Sequence, residues 1–118
     1  MIFDYKLRLK KLRIELKKRG LSSLLVTNET NVRYLSGFKG GDSLLIVTPD
    51  SQFFLTDSRY AEEAGDSVGG FTIVEVTTST YDCLIGIVKK NRIKKIGFDS
   101  LNLPYEVAKR LAGCIRPA

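Results

Sequence analysis

Short apolar runs that suit buried strands alternate along this chain with segments of helical period, and that alternation restricts the fold more than any other feature. Leu24-Leu25-Val26-Thr27 is a short apolar run of the kind that forms a strand buried on both faces. Leu44-Leu45-Ile46-Val47 and Phe53-Phe54-Leu55 predict two more strands, joined through the turn residues Pro49-Asp50-Ser51. Thr72-Ile73-Val74-Glu75-Val76 predicts a fourth strand and Ile96-Gly97-Phe98 a fifth. Ahead of them, residues 4–19 predict a helix that Gly20 ends. Tyr5, Leu9, Leu12 and Leu16 recur at the spacing that stacks side chains on one helical stripe. Leu7 and Ile14 fall on nearly the opposite side, among Lys11 and Lys18, and suit either solvent or contact with a second domain or subunit.

The remaining segments read in the same way. Asn28-Glu29-Thr30-Asn31 offers caps for a short helix from Val32 to Ser36, closed by Gly37. Asp57 predicts the N-cap of a helix from Ser58 to Ala64, with Gly65, Gly69 and Gly70 breaking the chain after it. Ser79 or Thr80 opens a helix through Leu84, Ile87 and Val88 that ends near Asn91, and Pro104 starts a last one with Val107, Ala108 and Leu111. Alternation of this kind predicts an α/β domain of three layers around a mixed, five-stranded sheet, the hairpin supplying the antiparallel part.

At 118 residues the chain is long enough for one domain with its own core. No apolar run approaches a membrane span, so no membrane is expected among its partners. The first residues, Met1-Ile2-Phe3-Asp4-Tyr5-Lys6, do not read as a secretory signal, and a cytoplasmic location is the expectation. Cys83 and Cys114 lack CxxC spacing and read as two reduced thiols rather than one disulfide.

The net charge of +6 sits wholly in residues 1–20, which carry eight basic side chains against Asp4 and Glu15. A basic helix can be a footprint for nucleic acid or another anionic surface, or simply a solvated face. Lys89, Lys90, Arg92, Lys94 and Lys95 form a second basic cluster. Neither cluster has the interleaved aromatics on which single-stranded bases stack, and the second lies at a helix C-terminus, where cations already favour the dipole. A free-standing basic binding module is therefore the alternative reading, with nucleic acid a weak expectation.

There is no histidine in the sequence, which removes Ser-His, Cys-His and His-ligated metal arrangements together. The stretch from Gly37 to Ser43 is glycine-rich but fits no phosphate-binding motif, and it precedes a strand rather than a helix. Asp57 and Asp99 follow strands, where α/β folds place functional groups, yet Asp57 is accounted for as a cap and Asp99 as a turn residue. Neither a metal nor a catalytic residue is expected within this chain.

Two phrases carry more information than the composition does. Asn31-Val32-Arg33-Tyr34-Leu35-Ser36-Gly37-Phe38 and Leu55-Thr56-Asp57-Ser58-Arg59-Tyr60-Ala61-Glu62-Glu63-Ala64, in this order with a hairpin between them, resemble the signature segments of the N-terminal, creatinase-type domain of Xaa-Pro aminopeptidases and Xaa-Pro dipeptidases (prolidases). The resemblance implies a ribonuclease-H-like fold that precedes a C-terminal catalytic domain, its expected partner. That second domain, expected beyond Ala118, would hold two divalent ions (manganese, cobalt or zinc) on two aspartates, a histidine and two glutamates, and would hydrolyse the bond preceding proline in a peptide. It also implies a homodimer in which the loop Phe38-Lys39-Gly40-Gly41-Asp42 reaches toward the partner's cleft. Phe38, Lys39 and Asp42 would offer an apolar wall and two charges, and Gly40 and Gly41 the backbone freedom; alternatively Gly37, Gly40 and Gly41 only shape a tight connection, with Phe38 in the core. Tyr34 and Tyr60 read as partly buried rings with a hydroxyl reaching a partner, and Arg59 as a brace for Asp57, with direct substrate contact the other possibility for all three. Non-peptidases such as creatinase share the domain, and the resemblance leaves that choice open.

Overall fold

A computed structural model describes residues 5–38, 43–77, 79–93 and 95–98, apart from the side chains of Ser67 and Tyr81. Lys39 to Asp42, Lys94, Asp99, the helix expected from Pro104 and Cys114 lie outside these residues. The elements are α1 (Tyr5–Lys18), β1 (Ser23–Val26), α2 (Glu29–Ser36), β2 (Leu44–Val47), β3 (Gln52–Thr56), α3 (Ser58–Ser67), β4 (Thr72–Glu75), α4 (Thr80–Lys90) and β5 (Ile96–Phe98). Among the described residues no helix is long and apolar enough to cross a membrane.

The strands form one sheet in the order β4-β3-β2-β1-β5. β2 pairs antiparallel with β1 and β3, while β4 and β5 add parallel at the two ends. This is the mixed α/β arrangement that the alternation of elements predicts. Successive side chains point to opposite faces of a strand, and the core divides accordingly. Val26, Leu45, Val47 and Phe54 pack beneath α1, α2 and α3 with Leu9, Val32, Leu35, Ala64 and Val68. Leu25, Ile46 and Leu55 pack on the other face against Leu84, Ile85 and Val88 of α4. The short strands are legible as apolar runs because the central ones are buried on both faces.

The helix ends show which local signals prevail. At the end of α1, Gly20 takes a φ of 71° and donates its N–H to Lys17 O, while Leu21 N–H donates to Leu16 O. That pair of bonds is the Schellman termination, and Leu16 is buried beneath it. α4 ends with the same pair of bonds, Arg92 N–H to Lys89 O and Ile93 N–H to Val88 O. There the left-handed position is held by Arg92, at φ 52°, the one described non-glycine residue with positive φ. α3 departs from the expectation: it continues through Gly65 to Ser67 instead of stopping at Ala64. Gly65 is exposed and weakens a helix by about 1 kcal/mol, but Ala64 and Val68 are buried in the core and Val68 N–H caps Ala64 O. β1 likewise begins one residue early, because Ser23 pairs with Ile96 of β5.

On α1, Leu9 and Leu16 are buried and Leu12 half-buried, as the stripe predicts, whereas Leu7 and Ile14 are exposed by 44% and 49%. The basic residues of this helix do not form a uniform solvated face. Arg13 turns inward, donating from Nε to Thr48 O (2.9 Å) and from Nη2 to Ser51 O (2.9 Å) and Gln52 Oε1 (2.7 Å). Gln52 in turn donates to Gly70 O, so one guanidinium ties α1 to the β2–β3 turn and onward to the segment before β4. Partial burial lowers the pKa of Arg13, and the nearby carboxylate of Asp50 opposes that shift.

Candidate functional site

The two phrases, separated by the hairpin in sequence, meet at one end of the sheet. Asn28 caps α2 by accepting from Asn31 N–H, and Gly37 closes it at a φ of 78°, donating to Arg33 O. The left-handed turn sends Phe38 inward, where it is 3% exposed. Its ring stands edge-on to Phe54 (centroids 5.1 Å apart) and to Tyr60 (5.9 Å). Phe38 therefore joins the first phrase to the second through β3 and α3. An aromatic pair in this T-shaped arrangement adds roughly 0.5–1.5 kcal/mol to the burial of its area. The ring belongs to the core and does not stand free as a cleft wall, which is the packing alternative weighed above for Phe38.

Gly37 is also fixed by a neighbour. A Cβ at this position would lie 2.7 Å from the hydroxyl of Tyr5 on α1, so only glycine admits both the turn and that close approach. Ser36 Oγ donates to Val32 O (2.6 Å) and accepts from Phe38 N–H (3.2 Å), which holds the chain as it leaves α2. Across residues 39–42, the chain re-enters at Ser43, whose Oγ donates to Thr56 Oγ1 in the interior (3.1 Å). Both flanks of this segment are thus anchored beside Asp57. Lys39, Gly40, Gly41 and Asp42 themselves lie outside the described residues.

Asp57 acts as the N-cap of α3, its carboxylate accepting from Arg59 N–H (2.9 Å). The same side chain accepts from Arg59 Nη2 (2.6 Å) and Nε (3.1 Å), a two-pronged charge-assisted contact. The side-chain bond from Arg59 is the main reason that the Asp57 carboxyl sits below its usual value, with the backbone N–H groups of the cap adding to it. The Arg59 guanidinium also lies 5.2 Å from the centroid of the Tyr60 ring. Arg59 and Tyr60 thus brace the start of α3, and Tyr60 is half-buried as expected.

Tyr34 differs from its expectation. It is 54% exposed, because α2 turns it away from the sheet towards α1. Arg8 covers one side of it, with the guanidinium carbon 4.1 Å from the Tyr34 centroid and 5.1 Å from that of Tyr5, and donates to Tyr34 O (2.6 Å). In the sequence Arg8 is one of eight N-terminal cations, and its spacing from Tyr5 on one helical face is the signal for this contact. Arg8, Lys11, Asn31 and Tyr34 surround an open groove of about 360 Å³ with Leu12, Leu24, Val26 and Leu35 beneath them. Cations, an amide, a phenol and an apolar floor can hold and orient a ligand. Among the described residues, no three His, Cys, Asp or Glu side chains converge.

Comparison with known proteins gives this geometry a family. The sequence model described as the creatinase/prolidase N-terminal domain matches residues 8–116. The chain is 36% identical over 99 residues to the uncharacterized peptidase YqhT of Bacillus subtilis, an alignment covering 84% of this chain and 28% of that protein. The fold superposes on the Xaa-Pro dipeptidase from Bacillus anthracis with a TM-score of 0.85 and 28% identity, over 95% of this chain and 32% of that one. It is similar to the crystallised N-terminal domain of the cytoplasmic peptidase PepQ from Mycobacterium tuberculosis as well, with a TM-score of 0.79 and 29% identity over 91% of this chain and 83% of that one. The chain spans about a third or less of the two longer relatives. The domain whose two phrases meet at Phe38 and Tyr60 belongs to the creatinase/prolidase N-terminal domain family.

Proposed function

We propose that this chain serves as the N-terminal, non-catalytic domain of a metal-dependent Xaa-Pro dipeptidase or aminopeptidase that hydrolyses the bond preceding proline. The observation that carries the reading is the coverage: the similarity takes in nearly all of this chain but only 28% and 32% of two longer relatives, one a peptidase and one an Xaa-Pro dipeptidase. In this reading the remainder of such a protein is the partner domain that binds two divalent ions and a proline-containing peptide. The residues of this chain do not fit those ions: the sequence has no histidine, and no group of three ligating side chains converges among the described residues. No hydrolytic step is therefore assigned to them.

The contribution proposed for this domain is positional. Phe38 and the Ser43–Thr56 bond hold both flanks of residues 39–42, so a loop there would be presented from a rigid base. Such a base suits the rim of a substrate cleft in a homodimer, where a positioned loop excludes water and limits substrate length. Cytoplasmic residence belongs to the same proposal, supported by the similarity to a cytoplasmic peptidase.

The test is hydrolysis of Xaa-Pro dipeptides and longer Xaa-Pro peptides by the purified 118-residue chain with added manganese, cobalt or zinc. No turnover is expected, and metal-dependent cleavage by this chain overturns the assignment. In a two-domain protein that begins with this chain, the expected result is metal-dependent cleavage by a dimer; an inactive protein with its metals bound overturns the peptidase reading.

A further inference from the structure

The open groove of about 360 Å³ beside Tyr34 is built from two matching helix faces. α1 contributes Arg8, Lys11 and Leu12, and α2 contributes Asn31, Tyr34 and Leu35, in both cases at i, i+3 and i+4. That spacing puts each triplet on one side of its helix, with neighbouring Cβ atoms roughly 5–6 Å apart. Leu24 and Val26 of β1, two positions apart and so on one face of the sheet, close the bottom. Each wall thus carries polar groups at the rim and a leucine at the base. We propose that this groove binds a small amphipathic monocarboxylate of the fatty-acid class, its head beside Lys11 and Arg8 and its alkyl chain over Leu12 and Leu24.

The rim fixes the sign of the head. The Arg8 guanidinium is held against the Tyr34 and Tyr5 rings, its carbon 4.1 Å and 5.1 Å from their centroids, and donates to Tyr34 O. A cation positioned in this way loses little further freedom when a ligand arrives. Lys11 is exposed, and its ammonium makes no hydrogen bond or ion pair among the described residues. Two cations one turn apart on a helix repel each other, and an anion placed beside both relieves that repulsion. No acidic side chain among the described residues lines the groove, so this chain does not itself supply the anion.

The base fixes the rest of the ligand. Val26 and Leu35 are buried, whereas Leu12 and Leu24 are only half-buried, packed against the core on one side and lining the groove on the other. Covering them removes apolar surface from water, which strengthens binding by about two- to fourfold for each methylene buried. The volume lies near the lower end of the range for small-ligand sites, about 300–1,000 Å³. An inorganic anion would leave the two leucines wet, and a neutral hydrocarbon would leave Lys11 without a counter-charge. A carboxylate on a short alkyl chain answers both.

The experiment is a backbone NMR titration of the 118-residue chain with octanoate, and separately with butyrate, acetate and octylammonium; it needs no hydrolysis. Saturable shifts centred on Arg8–Leu12, Leu24–Val26 and Asn31–Leu35 are expected for octanoate, with affinity rising about two- to fourfold per methylene from butyrate. Acetate and octylammonium are expected to bind at least tenfold more weakly. Lys11→Gln, at an exposed position, is expected to keep the parent's melting temperature and to weaken octanoate binding about tenfold. Lys17→Gln removes an equal charge from the same helix outside the groove, and is expected to leave binding unchanged. The proposal is overturned by no saturable shift with octanoate, by octylammonium binding as tightly, or by equal losses from the two lysine variants. Shifts of the same residues that grow with protein concentration in the absence of octanoate assign the groove to a second copy of the chain and overturn it as well.

Discussion

Arg13 on α1 and Gln52 at the start of β3 are joined by a 2.7 Å hydrogen bond, although 39 positions separate them in the chain. With the bonds from Arg13 to Thr48 O and Ser51 O, it makes one guanidinium a three-bond link from α1 to the β2–β3 turn and the start of β3. Hydrogen bonds from a charged group contribute roughly 1.5–3 kcal/mol each when partly sheltered, and they couple when they share one side chain. Arg13→Ala is expected to destabilise the domain by about 2–3 kcal/mol, lowering the melting temperature by roughly 10 °C or more. Arg13→Lys keeps the charge but loses the planar fork, and recovers little of that loss. Thermal and urea denaturation decide the matter; a lysine variant as stable as the parent would remove the guanidinium from its bridging role.

Gly37 and Gly20 both adopt left-handed backbone angles, yet they differ in what surrounds them. A Cβ on Gly20 meets nothing within 4 Å, whereas one on Gly37 would meet the Tyr5 hydroxyl at 2.7 Å. Gly20→Ala is therefore expected to cost about 1 kcal/mol from backbone strain alone. Gly37→Ala is expected to cost about 3 kcal/mol, since overpacking adds to the strain. Combining it with Tyr5→Leu should recover most of the excess. Equal costs for the two alanine variants would show that the contact with Tyr5 does not matter.

Asp57 gives a pH dependence of definite sign. Its pKa is depressed, so the folded state favours the ionised form. The stability this contributes is present above the ordinary aspartate range and is lost as pH falls through the depressed value. An NMR titration of the Asp57 carboxyl is expected to show its midpoint below that of a free aspartate. Arg59→Gln should move the midpoint upward, because the side-chain bond from Arg59 is the largest cause of the shift. A midpoint unaffected by that substitution would assign the depression to the helix cap instead.

The thiol of Cys83 is half-buried, and burial raises its pKa. The protonated form is a poor nucleophile, so this thiol should react with a disulfide reagent more slowly at neutral pH than an exposed cysteine does. In a Cys114→Ser background the rate can be followed at a single site. A rate equal to that of free cysteine would contradict the burial of Cys83 on α4.

What was legible in the sequence was local. Gly20, Gly37 and Asp57 act within a turn of their own position, so the ends they set can be read from residue type, whereas α2 begins at Glu29 behind its cap Asn28, three residues before the expected Val32. The strand order and the meeting of Phe38 with Tyr60 depend on distant packing; the family resemblance implied only the fold type, and the contact itself was not legible. The roles of Arg8 and Arg13 were hidden for a related reason. A cation on a basic helix looks the same in the sequence whether it faces solvent, a phenol ring or a row of carbonyls. Arg92 was the hardest to see, because its helix end keeps the glycine-type bonding pattern without the glycine. α3 passes Gly65 because Ala64 and Val68 are anchored in the core, a balance that propensity alone does not contain.

The sheet order has a consequence for how the chain is made. Leu44 of β2 faces Leu55 of β3, a closure that needs only the turn between them, whereas Ser23 of β1 faces Ile96 of β5. The central hairpin can form as soon as it leaves the ribosome, and β1 can join it from behind. One flank of β1 stays open until β5 has been synthesised. Long-range parallel closures of this kind are slow relative to hairpins. During synthesis the apolar β1 is thus left with one unpaired edge for most of the chain's length.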